Sequence, residues 1–389
     1  MSFLIPNLLL ITIVAGQLIK LPLGLGGATS LDLVVLILVA FFLIKSRLRK
    51  SKLKIPYIPI WVKAGLFFSV IALVSLIFSP LSLGVNEKIN GFLYIVRFTS
   101  FIFLGWLIQP VIPLSAGIHN LILKSGVILA VLGLLQFIFI PDLAFLAPSG
   151  WDPHYFRTVS TFLDPNFLGA YLVLTLLLFT SLRDQKKAKQ SFAMTTVYLA
   201  LLTTFSRGAY LAFLVAFLTL SFLKKSLKLG LLTITLFSVL MLGFQTYHQS
   251  VAAPRGINRA QSADARLDTW QQGLTLFITH PILGVGFNAY RPALREYGLA
   301  DKSFLERHGA STNDSSLLFV AATTGAIGLL AYIFFLGSLA HIGLKKNHIL
   351  LAGLAGLLSQ SFFANTLFYP PLLLAIILLV LPPVKYQEK

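Results

Sequence analysis

Arginine is the main basic residue of the two longest polar segments, which span roughly residues 141–164 and 248–312. A planar guanidinium binds a phosphate through paired hydrogen bonds, whereas a lysine acts as a point charge. The pattern therefore predicts a site for a phosphate or diphosphate. Each arginine could instead pair with a nearby carboxylate or meet anionic lipid headgroups. The group, with one member at the end of a hydrophobic run, comprises Arg157, Arg207, Arg255, Arg259, Arg266, Arg291, Arg295 and Arg307.

One histidine stands where it could serve such a site. His308 ends the second polar segment, and Ser311-Thr312-Asn313-Asp314 follows it at the start of a hydrophobic run. Histidine titrates near neutral pH and is the usual general base there. His308 is therefore a candidate base, although a single loop histidine could equally be a solvated side chain.

The sequence lacks the residues that several other kinds of chemistry require. The chain has no cysteine, which excludes disulfides and thiolate chemistry. It has no Walker A loop, no GxSxG motif, no DxD pair and no His/Asp/Glu cluster at metal-ligand spacing. The sequence therefore predicts neither a cofactor nor a metal, and it gives no support to ATP hydrolysis or to metal-dependent use of nucleotide sugars.

Composition determines the kind of scaffold that must position these residues. Of the 389 residues, 57% are hydrophobic and 11% charged, against about 25% charged in soluble domains. Apolar runs long enough to cross about 30 Å of hydrocarbon recur along the chain, and in lipid such runs must be helical. We predict an all-α, polytopic membrane protein, with residues 1–389 as one domain. Its twelve helices fall at roughly 4–20, 29–45, 59–79, 91–111, 116–140, 165–182, 191–204, 207–223, 230–247, 313–341, 348–366 and 371–384.

The formal net charge of +18 follows from membrane orientation and does not indicate nucleic acid binding. Lysine and arginine cluster in the short connections after even-numbered helices, which the positive-inside rule assigns to the cytoplasm. Both termini are then cytoplasmic, the localisation is the cytoplasmic (inner) membrane, and residues 248–312, between helices nine and ten, form a large external loop. Leu267, Trp270, Leu274 and Phe277 predict an amphipathic helix over roughly residues 263–279, capped by Ser262.

Two cations fall inside predicted helices. Arg97 lies in the fourth helix and Lys124 in the fifth. A charge at membrane depth is either functional or a structural partner for another polar group, and the sequence leaves both roles open.

Four motifs in serial order resemble the O-antigen ligase and polymerase family of bacterial membrane proteins. The order and spacing fit across roughly residues 155–340, and the twelve-helix layout with one large external loop fits the whole chain. The motifs are F-L-D-P-N at 162–166, T-T-F-S-R-G-A at 203–209, R-L-D-T-W at 266–270 leading to H-P-I-L-G-V-G at 280–286, and S-L-L at 316–318 leading to T-G-A-I-G at 324–328.

This resemblance implies a metal-independent, inverting glycosyltransferase of the GT-C class. Such an enzyme moves a glycan from a polyprenyl (undecaprenyl) diphosphate carrier to a hydroxyl of a glycan, lipid or protein acceptor at the external membrane face. Arg207 and Arg266 match the family's diphosphate-engaging arginines, and we add Arg291 from the arginine group as a third diphosphate ligand.

The resemblance also implies a histidine base near the start of the helix after the large loop. The family often has a His-Asn pair there, whereas this chain reads Thr312-Asn313-Asp314. The base is then either His308, which we favour, or Asp314.

Two other functions fit a polytopic membrane protein. One is a transporter of small anions such as bicarbonate, which should have broken helices and paired ionisable groups at the midplane. Here the polar residues concentrate in one external loop, which favours an enzyme. The other is a non-catalytic component of a polysaccharide assembly complex. No motif separates ligase from polymerase, since both use the same donor.

Overall fold

The computed structural model describes residues 4–20, 27–47, 57–108, 116–181, 187–255 and 259–381. This part of the chain is helical and contains no strand, only isolated bridges. The helices are α1 (Leu4–Ala15), α2 (Ser30–Arg47), α3 (Ile60–Ile77), α4 (Val85–Leu107), α5 (Ala116–Phe139), α6 (Pro165–Phe179), α7 (Lys187–Thr203), α8 (Arg207–Leu223), α9 (Leu227–Tyr247), α10 (Arg259–Thr279), α11 (Tyr290–Glu296), α12 (Lys302–Leu305), α13 (Ser316–Lys346), α14 (His348–Gln360) and α15 (Pro370–Leu379).

The all-α prediction is confirmed, and each of the twelve predicted segments coincides with a helix. Within the described ranges, five helical segments are long and apolar enough to cross a membrane: Ile60–Ile77, Val85–Leu107, His119–Phe139, Leu227–Arg255 and His308–Lys346. Five shorter apolar helices accompany them, among them α6, α8 and α14. The count of twelve spans and the external placement of residues 248–312 stay predictions. The predicted end of the last helix and the C-terminal lysines lie outside the described residues.

Helix ends differ from prediction where a capping group was overlooked. Helix α4 begins at Val85, not near 91, because the Glu87 carboxylate accepts a hydrogen bond from the Gly84 amide at 2.9 Å and stabilises a polar first turn. Helix α10 begins at Arg259, so Ser262 lies within the helix and the predicted cap there is wrong. The amphipathic helix itself is present.

Helix α13 is interrupted at Gly325, whose φ of 64° and ψ of −167° are not helical. The segment 281–287 fills the interruption. The amides of Val285 and Gly286 donate to the carbonyls of Ala322 and Thr323, each at 3.0 Å. In return, the Ala326 amide donates to the Pro281 carbonyl at 2.7 Å. These bonds satisfy backbone groups that a broken helix would leave unpaired in a low-dielectric interior.

Helix α3 holds this junction from the other side. Ser75 donates its hydroxyl to the carbonyls of Leu283 and Thr323, at 2.7 and 2.6 Å. One turn later, Ser79 donates to the Val285 carbonyl at 2.6 Å. The H-P-I-L-G-V-G and T-G-A-I-G motifs, about forty residues apart, are therefore the two halves of one packed junction, which we call the α13 junction (residues 281–287 and 322–327).

An aromatic cluster packs beside the junction. Phe68 of α3 lies 4.9 Å from Tyr332 and 6.0 Å from Phe287, measured between ring centroids. Phe98 of α4 lies 5.5 Å from Phe335. Edge-on and tilted rings at these distances gain favourable quadrupole contacts beyond their burial. The cluster fastens α3, α4 and α13 together and so holds the junction rigid.

Arg97 has a structural partner. Its guanidinium Nε donates to the Asp32 carboxylate of α2 at 2.7 Å, and its Nη2 donates to the Gly27 carbonyl at 2.9 Å. Both side chains are about nine-tenths buried. A buried pair with added hydrogen bonds is costly to break, because either partner alone would be an uncompensated charge. Arg97 therefore fixes α4 against α2. Lys124 lies exposed on α5.

We expect Gly325→Ala to lower the free energy of unfolding by about 3 kcal/mol or more, since a left-handed φ strains alanine and its Cβ would collide with backbone atoms. That Cβ would lie 2.2 Å from the Ile282 carbonyl oxygen. Thermal unfolding in detergent measures the effect. Gly337→Ala in the same helix is the matched control, because its Cβ would meet no described atom within 4 Å. Equal midpoints for the two variants would contradict this account of the junction.

Candidate functional site

The starts of helices α6 and α8 and the end of α14 converge at one end of the bundle. Ser206, which caps α8, donates its hydroxyl to the Asn166 side-chain oxygen at 2.7 Å. Gln360, the last residue of α14, donates its side-chain amide to the Asn166 carbonyl at 2.9 Å. The F-L-D-P-N and T-T-F-S-R-G-A motifs are therefore neighbours, although about forty residues separate them in sequence.

Helix α13 starts at the same end. Its first amide, that of Ser316, donates to the Ser361 carbonyl at 2.8 Å, directly after α14. Ser315 caps α13 through its hydroxyl. Polar caps on α6, α8 and α13 thus gather where these helices leave the apolar interior.

Arg157 shapes the approach to α8. Its Nε donates to the Thr204 carbonyl at 2.8 Å, and its Nη2 donates to the Phe205 carbonyl at 3.3 Å. Phe205 has a positive φ of 46°, and its ring stacks on Tyr247 of α9 at 4.1 Å. These contacts hold the turn that leads into Arg207. Sequence reasoning placed Arg157 in the arginine group but did not foresee this positioning role.

Arg207 is the first residue of α8 and its side chain is exposed. Its guanidinium lies 5.5 Å from the centroid of the Phe244 ring of α9. A cation over an aromatic face is attracted by the ring quadrupole. Because the side chain of Arg207 is exposed, an anion at this end of the bundle could reach it.

Helix α10 docks on this end through two contacts. The Trp270 indole donates to the Phe362 carbonyl at 2.9 Å and stacks near Phe363, with 6.0 Å between centroids. The buried Asn313 amide donates to the Thr269 carbonyl and to the Tyr290 hydroxyl. The R-L-D-T-W motif therefore packs against the residues that open α13, which brings Arg266 to the site.

Asp314 is one of two carboxylates there whose pKa is raised. Burial raises the pKa of Asp314 above its usual value, and the nearby carboxylates Asp164 and Asp152 raise it further. Arg266 opposes this shift, as does the hydrogen bond that the Thr269 hydroxyl donates to Asp314 at 3.2 Å. The net direction is upward, which suits a group that must accept a proton nearer neutral pH.

Asp164, which is partly buried, is the second of these carboxylates. It caps α6 by accepting hydrogen bonds from the Asn166 and Phe167 amides at 2.6 and 3.2 Å. Burial raises the pKa of Asp164, whereas these amides and the charge of Arg157 lower it. The F-L-D-P-N motif could have indicated the cap, because Asp before Pro is typical of a helix start. No sequence pattern indicated that the charge of Asp164 would raise the pKa of Asp314.

His308 has different neighbours. Its Nε2 lies 2.9 Å from the Ser149 carbonyl oxygen, and its ring is 5.0 Å from that of Trp151. Partial burial lowers the pKa of His308, and the positive charges of Lys20 and Arg291 lower it further. His308 is therefore neutral near pH 7. Its hydrogen bond and ring contact tie it to the 149–151 turn, whereas Asp314 is tied to α10.

Arg291 lies on the His308 side. Its Nη2 donates to the Arg307 carbonyl at 2.6 Å, and burial lowers the pKa of its guanidinium. Four of the five sequence-predicted site residues, all but Arg207, thus fall into two groups at this end of the bundle. With the neighbours that the structure adds to them, we call these the α10 group (Arg266 and Asp314, with Thr269) and the 308 group (Arg291 and His308, with Lys20 and Trp151).

Other predicted arginines have local contacts. Arg295 pairs with Glu87 at 2.8 Å on the surface. Arg255 lies over the Phe156 ring at 5.2 Å. The side chain of Arg259 lies outside the described residues. Within the described ranges no three His, Asp or Glu residues gather as a metal site would require, and metal independence stays a prediction.

The fold and composition define an all-helical integral membrane protein whose arginines and carboxylates meet at one end of its bundle. Residues 192–333 match the protein-family model described as O-antigen ligase, which confirms the predicted resemblance. Arg207, Arg266, His308 and Asp314 all lie within the match. It supports glycan transfer of the O-antigen ligase kind. No curated protein matches the chain.

Proposed function

We propose that the protein transfers a glycan from a polyprenyl-diphosphate carrier to an acceptor hydroxyl, in the manner of an O-antigen ligase or polymerase. The observation that carries the proposal is the hydrogen bond that Thr269 of α10 donates to Asp314 at 3.2 Å, one helical turn after Arg266 and inside the family-matched segment. A cation near a carboxylate that can accept a proton is what attack by a hydroxyl on a diphosphate-linked sugar requires.

The reaction balances as an inverting displacement. The acceptor oxygen attacks the anomeric carbon, and the bond from that carbon to the diphosphate oxygen breaks. The electron pair of this bond leaves with the polyprenyl diphosphate, while Asp314 takes the hydroxyl proton. Negative charge grows on the leaving group, so guanidinium groups that are already in place stabilise the transition state without reorganisation. In this proposal Arg207 and Arg266 bind the diphosphate, and no metal is needed.

Asp314 is the better candidate for the base, which changes the preference drawn from sequence. Its raised pKa makes it a stronger proton acceptor than an ordinary aspartate, and the Thr269 hydroxyl holds it against α10. His308 carries a lowered pKa and is held to the Ser149 carbonyl. We propose that His308 and Arg291 border the acceptor or the distal part of the donor.

The distribution of charge supports an external active site. Helix α8 begins at Arg207 and ends before Lys224, and α13 runs from the site to Lys345 and Lys346. Lysines at one end and the arginine site at the other follow the positive-inside rule if the site faces outward. We therefore propose an enzyme of the cytoplasmic membrane that acts at its external face.

Anion transport is the second candidate, because α13 is broken and the Arg97–Asp32 pair lies within helices, both of which are carrier-like features. In a carrier the freed backbone groups bind the transported ion. Here they bond to residues 281–286, and Asp32 already neutralises Arg97. Enzyme function is therefore the better-supported proposal.

The first experiment incubates the purified protein with an undecaprenyl-diphosphate oligosaccharide, a panel of glycan, lipid and protein acceptors, and a chelator. We expect acceptor-dependent release of undecaprenyl diphosphate, reduced about 100-fold in Arg266→Gln because one transition-state donor is lost. Arg295→Gln removes an arginine that pairs with Glu87 on the surface and is the control. Its release should stay within about twofold of the parent.

Release by no acceptor from a folded protein would overturn the enzyme proposal, and flux of bicarbonate into proteoliposomes would then test transport. A productive acceptor would separate ligase from polymerase. Activity abolished by the chelator would contradict metal independence.

A second prediction separates the two candidate bases. Asp314→Asn should reduce kcat by about 10²- to 10⁴-fold, the usual contribution of a general base. His308→Gln should reduce kcat by less than about tenfold, acting mainly on KM. A larger loss of kcat in His308→Gln than in Asp314→Asn, measured in a steady-state assay, would show that His308 is the base.

A third prediction concerns pH. Because the ionised form of Asp314 is the active base, activity is lost as pH falls through its raised pKa. Thr269→Val deletes the hydrogen bond that stabilises the carboxylate and should raise the pKa further. The acid limb of the kcat/KM profile should then move upward by roughly one pH unit. If the acid limb of Thr269→Val does not move, the limb reports the titration of a group other than Asp314.

A further inference from the structure

A basic cavity lies at the end of the bundle opposite the candidate site. It has a volume of about 260 Å³ and is lined by residues from three separate connections, after α6, after α8 and between α13 and α14. We call it the lysine cavity. It is lined by Ser181, Lys224, Lys345, Lys346, Asn347 and His348, together with one apolar residue.

A lysine at the end of a helix is common, but three lysines from two helix ends that line one cavity need an explanation. Lys224 ends α8, and Lys345 and Lys346 end α13, where cations complement the helix dipole. The interaction with the helix dipoles would be equally favourable if the lysine side chains pointed away from one another. Here three lysines and one histidine instead line the same concave surface, and none of the described lining residues is acidic. Like charges repel, so an anion between them would stabilise the arrangement.

The basic side chains of the cavity are accessible to an anion, since Lys224, Lys345, Lys346 and His348 are all exposed. Partial desolvation lowers the pKa of Lys224, so its charged form lacks part of its hydration. The first amides of α14 are already satisfied, since those of Ile349 and Leu350 donate to the Asn347 side-chain oxygen. Recognition in the cavity therefore depends on the lysine side chains.

The surroundings favour a lipid as the source of the anion. Phe222, two residues before Lys224, is 83% exposed, and Leu344, directly before Lys345, is 56% exposed. Apolar side chains beside clustered cations match the two parts of a phospholipid, acyl chain and phosphate. We propose that the lysine cavity binds the phosphate headgroup of an anionic phospholipid. This proposal does not depend on the proposed transfer reaction.

Native mass spectrometry of the detergent-solubilised full chain tests the proposal. Phosphatidylglycerol is added to the parent, to the variant Lys224→Gln/Lys345→Gln/Lys346→Gln and to the control Lys189→Gln/Lys225→Gln/Lys228→Gln. The control removes the same charge from described lysines that do not line the cavity. We expect the cavity variant to bind phosphatidylglycerol about tenfold more weakly, and the control within about twofold of the parent.

Two further arms identify the ligand. Phosphatidylcholine should bind at least about fivefold more weakly than phosphatidylglycerol, and excess inorganic phosphate should not displace the bound lipid. Equal losses in the two triple variants would overturn the proposal, as would equal binding of the two lipids. Displacement by inorganic phosphate would overturn it in favour of a free anion. If the triple variant unfolds, Lys346→Gln against Lys228→Gln makes the same comparison with one charge removed from each.

Discussion

The structure depends on how a broken membrane helix keeps its backbone hydrogen-bonded. An interruption at Gly325 would leave amides and carbonyls of α13 without partners in an apolar interior, at a cost of several kcal/mol each. Residues 281–287 supply those partners, and Ser75 of α3 and Ser79, just after the end of α3, donate their hydroxyls to carbonyls of the junction. Because the inserted segment follows α10 directly, the same bonds determine where α10 ends and where it lies relative to the start of α13.

That constraint reaches the site through a short series of contacts. With α10 anchored at its end by the α13 junction, Trp270 and Thr269 meet the residues around α14 and the start of α13. Arg266 then lies beside Asp314, while Ser206, Asn166 and Gln360 bring α6, α8 and α14 to the same end. The site is thus assembled from helix ends, where polar caps and charges can be placed without burying them in lipid. The anchoring of α10 at the α13 junction therefore accounts both for the rigid hydrophobic bundle and for its polar, arginine-bearing end.

Much of this architecture could be read from the residues, and the errors have identifiable causes. Hydropathy located the helices because backbone in lipid has few alternatives. It missed the polar first turn of α4, where Glu87 caps the chain, and it placed the start of α10 too late. The motifs located Arg207, Arg266 and Asp314, yet they gave no reason to prefer Asp314 over His308. That preference rests on the burial of Asp314 and on Thr269 and Arg266 beside it, all of which are contacts across the fold.

The sequence by itself determined that the protein is helical and membrane-embedded, that its arginines and lysines concentrate in different connections, and that its motifs resemble one family. Composition and short-range pattern suffice for these properties because the bilayer and the helix act locally on the chain. Only the tertiary structure decided that Asp32 neutralises Arg97 and that the helix break at Gly325 is filled by another segment. It also decided that the charge of Asp164 acts on Asp314 and that three lysines line one cavity. These properties depend on distances between segments far apart in the chain, and electrostatic interaction, burial and hydrogen bonding follow those distances and not sequence separation.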